Sequence, residues 1–87
     1  MNATDRTFFL KRAVLRALDE CRGYAVPESA LRESVAIKVD HLRPSTAEID
    51  AALRTVDTER LSVAILSERG PKLKLTDAGQ LWLAENP

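Results

Sequence analysis

Cysteine, histidine and glycine are scarce in this 87-residue chain, and each scarcity excludes a class of site. Cys21 is the only cysteine, so no disulfide can form within the chain, and His41 is the only histidine, so no zinc ligand set is present. The three glycines, Gly23, Gly70 and Gly79, stand at turns or at a helix start and do not form a phosphate-binding loop. We therefore expect no metal and no cofactor.

An excess of charge of one sign and long apolar runs are also absent. Thirteen basic and thirteen acidic residues give zero formal net charge, which is typical of neither a strongly basic nucleic-acid binder nor an acidic mimic. No apolar run approaches the roughly 18 residues of a membrane span. The first twelve residues are polar, then aromatic, then basic, which is the wrong order for a signal peptide. These absences predict a cytoplasmic protein.

The composition that remains, 45% hydrophobic and 30% charged, is that of one small globular domain. We expect a single domain over residues 1–87, with an ordered part of about 6–86 and fraying before it. No nucleophile, base and orienting group stand at a spacing that would fix a catalytic site, and a surface or capping role suits His41 better than catalysis. We therefore expect that the protein is not an enzyme.

The segment 43–60, RPSTAEIDAALRTVDTER, predicts a helix with a well-defined start. Ser45 can accept from the free amides of the first turn, and Glu48 can bond back to the Ser45 amide, which makes a capping box. An apolar stripe follows at helical spacing: Ile49, Ala52, Leu53 and Val56. The opposite side is polar and consists of Thr46, Asp50, Arg54, Asp57 and Thr58. We predict a helix over residues 45–58 with one buried face.

Two helices and a short strand are predicted before that segment. Residues 6–22 have helical spacing, and Gly23 suits the position that ends such a helix. The inward face would be Leu10, Val14, Ala17, Leu18 and Cys21. Residues 24–26 are extended in character, and 27–38 predict a second helix with Ala30, Leu31 and Val35 inward. The alternation in 35–39, VAIKV, also fits a strand; we favour helix to about Ile37.

After the helix predicted over residues 45–58, the apolar period changes from 3.6 to 2 residues, which predicts a β-hairpin over residues 61–75. We expect a five-residue turn over 67–71 and one buried face. That face would consist of Leu61, Val63, Ile65, Leu73 and Leu75. Thr76 can cap a last helix, 77–85, with Ala78, Leu81 and Trp82 facing inward.

Three stretches, STAEIDAALRTV, LSVAILSERGPKLKL and LTDAGQLWLAE, together resemble the winged helix-turn-helix superfamily over roughly residues 7–86. The last resembles the Leu-Thr-x-x-Gly segment that leads from the wing into the closing helix of bacterial winged-helix regulators. The resemblance implies a mainly α fold with a small antiparallel β-hairpin (α+β), in the order helix-strand-helix-helix-strand-strand-helix. This fold serves DNA-binding repressors, RNA-binding modules and protein-binding subunits alike.

In a DNA-reading winged helix, the segment 45–58 would enter the major groove, with Ser45, Thr46 and Arg54 at base edges. Phosphate contacts would come from the wing and its approach, from Arg60, Arg69, Lys72 and Lys74. A competing interpretation is that the lysines protect the edge of a small sheet. Cations of the first helix could add phosphate contacts or could be solvated surface: Arg6, Lys11, Arg12, Arg16 and Arg22.

The charge of the proposed recognition helix argues against this function. Residues 44–60 contain two basic and four acidic side chains, and carboxylates that face phosphates are repelled. Asp50 and Asp57 count directly against tight nonspecific binding, and Asp50 with Arg54 could be a plain surface pair. A solvated helix face therefore explains this polar side as well as DNA reading does.

Phe8, Phe9, Trp82 and Leu83 exceed what one small core needs, and we expect them at a homodimer interface. The alternative is that Phe8 and Trp82 complete the core of the monomer. Our leading hypothesis is a regulator of transcription or of a mobile element that binds double-stranded DNA as a homodimer. The second hypothesis is a winged-helix module that binds another protein and no nucleic acid.

Overall fold

A computed structural model describes residues 2–87 as four helices around a three-stranded antiparallel sheet. The elements are α1 (Ala3–Asp19), β1 (Val26–Pro27), α2 (Glu28–Lys38), α3 (Thr46–Thr58), β2 (Ser62–Ser67), β3 (Gly70–Leu75) and α4 (Asp77–Glu85), with a 3-10 turn at Asp40–Leu42 before α3. The strands lie in the order β1-β3-β2. The predicted α+β class and element order are confirmed. Among residues 2–87, no helix has both the length and the apolarity needed to cross a membrane.

Helix α1 begins and ends about three residues earlier than predicted. The Asn2 side chain accepts a hydrogen bond from the Asp5 amide (2.9 Å), so the first turn is capped and residues 3–5 are helical; fraying of this segment stays a prediction. Met1 lies outside the described residues. The helix ends at Asp19, and the chain then turns through Arg22 and Gly23, which both have positive φ. Gly23 therefore ends this turn rather than the helix itself.

Helix α2 resolves the ambiguity in residues 35–39. It continues to Lys38, with Val35 buried and Ile37 78% exposed. Val35 and Val39 are four residues apart and both buried, so the helical period explains the apolar pattern that alternation also fitted. Ala30 is exposed, which corrects the prediction that it faces inward.

Helix α3 agrees with the sequence prediction in its start and its buried face. The Ser45 Oγ accepts from the Glu48 amide (3.1 Å), and the Ser45 amide donates to Glu48 Oε1 (3.0 Å), which completes the capping box. The predicted stripe Ile49, Ala52, Leu53 and Val56 is buried. Because this stripe joins the α1 core residues, the polar side of α3 is turned outward.

The hairpin forms as predicted, but its turn and its buried face differ. A two-residue turn, rather than a five-residue one, joins Ser67 to its partner Gly70. The resulting register places Ser62 opposite Leu75 and Ala64 opposite Leu73, so the even-numbered residues of β2 share the inner face. Ser62 is 3% exposed.

The prediction that Val63 and Ile65 are buried is therefore wrong. Val63 and Ile65 are 45% and 41% exposed, and they share the outer face with Lys74 and Lys72. Leu61 is buried as predicted, but it lies just before β2. The stretch SVAILS has apolar residues in both alternating sets, so its pattern does not determine which set faces the core.

Helix α4 packs through a face that shares only Trp82 with the predicted one. Gly79 is buried so closely that a Cβ there would lie 2.2 Å from the Leu61 carbonyl oxygen. Trp82 and Leu83, three and four residues on, pack against the core. Leu81 is 62% exposed and Ala78 is also exposed, so neither faces inward as predicted.

Candidate nucleic-acid interface

The polar side of α3 borders an open groove beside the hairpin. Ser45, Thr46 and Arg54, the predicted base-reading residues, are all exposed. The groove has a volume of about 330 Å³ and is lined by α2, α3 and the inner face of the hairpin. Its lining residues are Glu28, Arg32, Asp50, Leu53, Arg54, Asp57, Ala64, Pro71 and Leu73. Arg54 forms no ion pair with any residue that the structure describes, so its guanidinium is available to a ligand.

Asp50 is paired across the groove with a cation from another helix. The Arg32 guanidinium of α2 contacts the Asp50 carboxylate and also donates to Glu28 Oε1 at 2.6 Å. Arg32 thus holds one carboxylate on α2 and one on α3. The surface pair that the sequence suggested between Asp50 and Arg54 is not formed, and Arg32 takes that role instead.

Glu48, the capping residue of α3, is paired with Arg6 of α1. The Arg6 side chain donates to both carboxylate oxygens of Glu48, with Nη2 3.1 Å from Oε1, and also to the Leu42 carbonyl oxygen at 2.6 Å. Hydrogen bonding from Arg6, followed by that from the Ser45 amide, lowers the pKa of Glu48 to about 2. Arg6 therefore fixes the entry to α3, and its Nε and Nη2 atoms are occupied within the fold.

Glu59, just past the end of α3, is paired with Lys11 of α1. The Lys11 Nζ lies 2.8 Å from the Glu59 carboxylate and 4.8 Å from the centroid of the Trp82 ring. The Lys11 side chain is only 14% exposed, so it too is occupied within the fold. Arg6 and Lys11, both candidates for phosphate contact, thus have internal partners.

These pairs change the charge that α3 presents to a ligand. Among the carboxylates of residues 44–60, Glu48, Asp50 and Glu59 are paired, and only Asp57 has no ion pair among the described residues. Both cations of the segment, Arg54 and Arg60, are unpaired in the same sense. No sequence pattern indicates these ion pairs, because the partner cations lie on α1 and α2 at no fixed spacing from α3.

The predicted phosphate-contacting residues do not form one cluster. Lys72 and Lys74 lie on the outer face of the hairpin, opposite the face that lines the groove. Arg69 lies in the turn and borders a cleft with Glu28 and Arg32. Arg60 follows α3 in a left-handed conformation (φ 60°), with its carbonyl oxygen accepting from Thr76 Oγ1 at 2.8 Å.

The edge-protection interpretation of the lysines is wrong. Lys72 and Lys74 belong to β3, which is the central strand of the sheet, so they do not shield either edge. Neither lysine forms an ion pair within residues 2–87, and the same holds for Arg60 and Arg69. All four remain candidates for phosphate contact.

The four residues predicted at a dimer interface contact one another or the core within one chain. The Phe8 ring lies 5.8 Å from Phe9 and 5.5 Å from Trp82, measured between centroids, and Leu83 packs against the core. Arg12 lies over the Phe9 ring, 4.9 Å from its centroid. This arrangement agrees with the alternative that Phe8 and Trp82 complete the monomer, and a dimer contact through these side chains stays a prediction.

No protein-family model, curated protein or solved structure matches this chain. The winged-helix resemblance therefore depends on the order of the elements and on the quoted motifs, and superfamily membership stays a prediction.

Proposed function

We propose that this protein binds double-stranded DNA through the polar side of α3 and the hairpin, as a cytoplasmic regulator of transcription or of a mobile element. The observation that supports this most is the pairing of Glu48, Asp50 and Glu59 with cations from α1 and α2. It removes the main sequence argument against DNA binding, which was the acidic balance of the recognition helix.

A paired carboxylate repels phosphate less than a free one, because the adjacent cation cancels most of its field at a distance. The unpaired charges of α3 and the hairpin are then mostly positive. The cations are Arg54, Arg60, Arg69, Lys72 and Lys74, and the carboxylates are Asp57 and Glu68. In the proposed complex Ser45, Thr46 and Arg54 read base edges, and the other cations contact phosphates.

The test is a salt series of binding to a fluorescent random duplex, measured by anisotropy. Each phosphate contact contributes about −0.9 to the slope of log affinity against log salt. The variant K72E/K74E should bind every duplex more weakly and with a shallower slope. Arg54→Ala should instead change which sequences are preferred.

A matched control uses Arg16→Glu, a charge reversal on an exposed cation of α1 that has no ion pair within residues 2–87 and borders the end of α2 rather than the groove. It should weaken binding less than a single reversal at Lys72 or Lys74. Equal loss from all reversals would indicate that only net charge matters. Affinity that does not depend on salt for the wild type would contradict the proposal.

The second candidate, a module that binds protein alone, is favoured by one observation. Val63, Ile65 and Leu66 are exposed at 45%, 41% and 88%, which is unusual for three neighbouring apolar residues of a strand. Under this function, no duplex would bind at any salt concentration, and changes at Arg54 would have no effect on the partner that the hairpin recognises.

A further inference from the structure

Strand β2 is an unprotected edge of the sheet. It has β3 on one side only, it is six residues long, and its sequence SVAILS contains no charge and no proline. The other edge strand, β1, has two residues and includes Pro27. Proteins usually shorten exposed edges or place lysine or proline on them, and here only β1 follows that practice.

The hydrogen-bonding groups on the free side of β2 can be identified from the register. The Thr76 amide donates to the Leu61 carbonyl oxygen at 3.1 Å, so residue 61 begins the series that bonds to β3. Because bonded and non-bonded pairs alternate along an antiparallel ladder, Val63, Ile65 and Ser67 continue that series. Ala64 and Leu66 therefore direct their N–H and C=O groups away from β3.

The accessible part of this edge begins at Val63. Ser62 is buried, whereas the four residues from Val63 to Leu66 are all exposed. Pro71, which has no N–H, stands opposite Leu66 at a non-bonded pair, so the ladder loses nothing there. The free stretch thus has intact pairing to β3 and unpaired groups on its other side.

We propose that β2 pairs with β2 of a second copy of this chain, antiparallel and centred on Ile65, to make a six-stranded sheet. In this register Ala64 of each copy faces Leu66 of the other, and these two pairs form on the order of four backbone hydrogen bonds. Ile65 faces its own copy at a non-bonded pair, where the Cα atoms are about 4.5 Å apart and side chains are closest. Val63 faces Ser67.

A second copy suits this edge better than a charged partner strand because β2 is neutral and meets itself without repulsion. The pairing keeps the outer faces of both sheets on one side, so the exposed side chains of Val63 and Ile65 from the two copies become contiguous. The β3 lysines of the two copies are then about 14 Å apart, three strand spacings, which exceeds the Debye length of about 8 Å at physiological salt.

The twofold axis of this dimer is perpendicular to the sheet. Both α3 helices, which pack on the inner side, therefore remain on the same side of the joined sheet. The dimer does not depend on the proposed DNA binding, and it uses none of Phe8, Phe9, Trp82 or Leu83, which already pack within one chain.

Sedimentation velocity over a concentration series tests the pairing through a charge exchange at Ile65. Ile65→Lys places two like charges directly opposite each other, and so does Ile65→Glu. Each variant alone should lose the dimer that the wild type forms. An equimolar mixture of the two should recover it as a heterodimer, which also shows that both variants are folded.

The matched control is Ile37→Lys, because Ile37 is equally apolar and 78% exposed but lies on α2. It should leave the wild-type dimer intact. A wild type that stays monomeric at every concentration would overturn the proposal. So would a dimer that survives both Ile65 variants but is lost in Phe9→Ala, since the terminal helices would then be the interface.

Discussion

Helix α3 exposes charged side chains beside the groove and the hairpin exposes them on its turn and outer face, but the two sets differ in their ion pairs. Three carboxylates in or next to α3 are held by Arg6, Lys11 and Arg32. The hairpin cations are left without ion pairs among residues 2–87, and its outer face keeps Val63 and Ile65 exposed. The charge of a segment, counted along the sequence, is therefore a poor guide to the charge that its surface presents.

The difference has a structural cause. Helix α3 packs on α1 and lies beside α2. Long basic side chains from both helices reach the carboxylates of α3 and of Glu59 just after it. On the outer face of the hairpin Val63 and Ile65 are exposed, and no carboxylate within residues 2–87 forms an ion pair with Lys72 or Lys74. A ligand at α3 would therefore meet carboxylates that are largely neutralised, whereas a ligand at the outer face of the hairpin would meet cations that are not.

The largest expected effect is a loss of stability when the close contact between α4 and the base of the hairpin is disturbed. Gly79→Val puts a Cβ 2.2 Å from the Leu61 carbonyl oxygen and 2.6 Å from Leu75 Cδ1, and the first of these is backbone that cannot move aside cheaply. We expect a loss of about 3 kcal/mol or more in the free energy of unfolding, the upper end of overpacking costs. Urea denaturation measures it.

The control for this change is Gln80→Ala on the exposed side of α4, which should stay within about 0.5 kcal/mol of the wild type. A Gly79→Val variant as stable as the wild type would mean that α4 does not hold the base of the hairpin.

An intermediate effect, on duplex binding, is expected when a carboxylate of α3 loses its ion pair, because α3 then presents an unpaired charge as the hairpin does. Arg32→Gln releases the Asp50 carboxylate beside the groove and should weaken duplex binding by about 1 kcal/mol, or about fivefold. Arg32→Gln with Asp50→Asn removes the freed charge and should restore most of the affinity. Anisotropy with the random duplex measures both.

If the double variant binds as weakly as the single one, Arg32 contacts the duplex itself and the neutralising role of the pair is contradicted. If neither variant differs from the wild type, the groove is not the binding surface.

The smallest effect is confined to acid pH and concerns Glu48. Its folded pKa of about 2 lies below the ordinary value of 4.5, so its contribution to stability is fully present above pH 4.5 and is lost as the pH falls towards 2. Glu48→Gln should therefore flatten the fall in stability within that window, measured by urea midpoints at successive pH values. Because Glu48 is partly exposed, salt should reduce the effect.

Arg6→Gln removes the largest cause of the lowered pKa of Glu48 and should flatten the same window in part, since the Ser45 amide remains. An unchanged profile in both variants would show that the Arg6–Glu48 contact does not stabilise the folded chain in solution.

The sequence was sufficient for features whose determinants are local. The Ser45–Glu48 capping box and the stripe from Ile49 to Val56 are fixed by residues within a few positions of each other, and both are confirmed. Leu73 and Leu75 likewise alternate with lysines, so only one of their faces could be buried. The exposure of Arg54 followed from its place opposite the stripe.

Features that depend on contacts between distant elements were not predictable in this way. In β2 both alternating sets contain apolar residues, and the two-residue turn, not the pattern, determined that Ser62 rather than Val63 faces the core. The partners of Glu48, Asp50 and Glu59 lie 42, 18 and 48 residues away, so no spacing rule identifies them.

The Arg6 contact gives the beginning of the chain a role that its burial would not suggest. Arg6 precedes every fully buried residue, yet it joins the first turn of α1 to the Leu42 carbonyl and to the cap of α3. A bulky fusion or a deletion that disturbs residues 2–6 would leave the hydrophobic core complete while loosening the presentation of Ser45 and Thr46. Preparations that differ only in an N-terminal extension should thus share the same buried core and have unequal affinities for a ligand of this face.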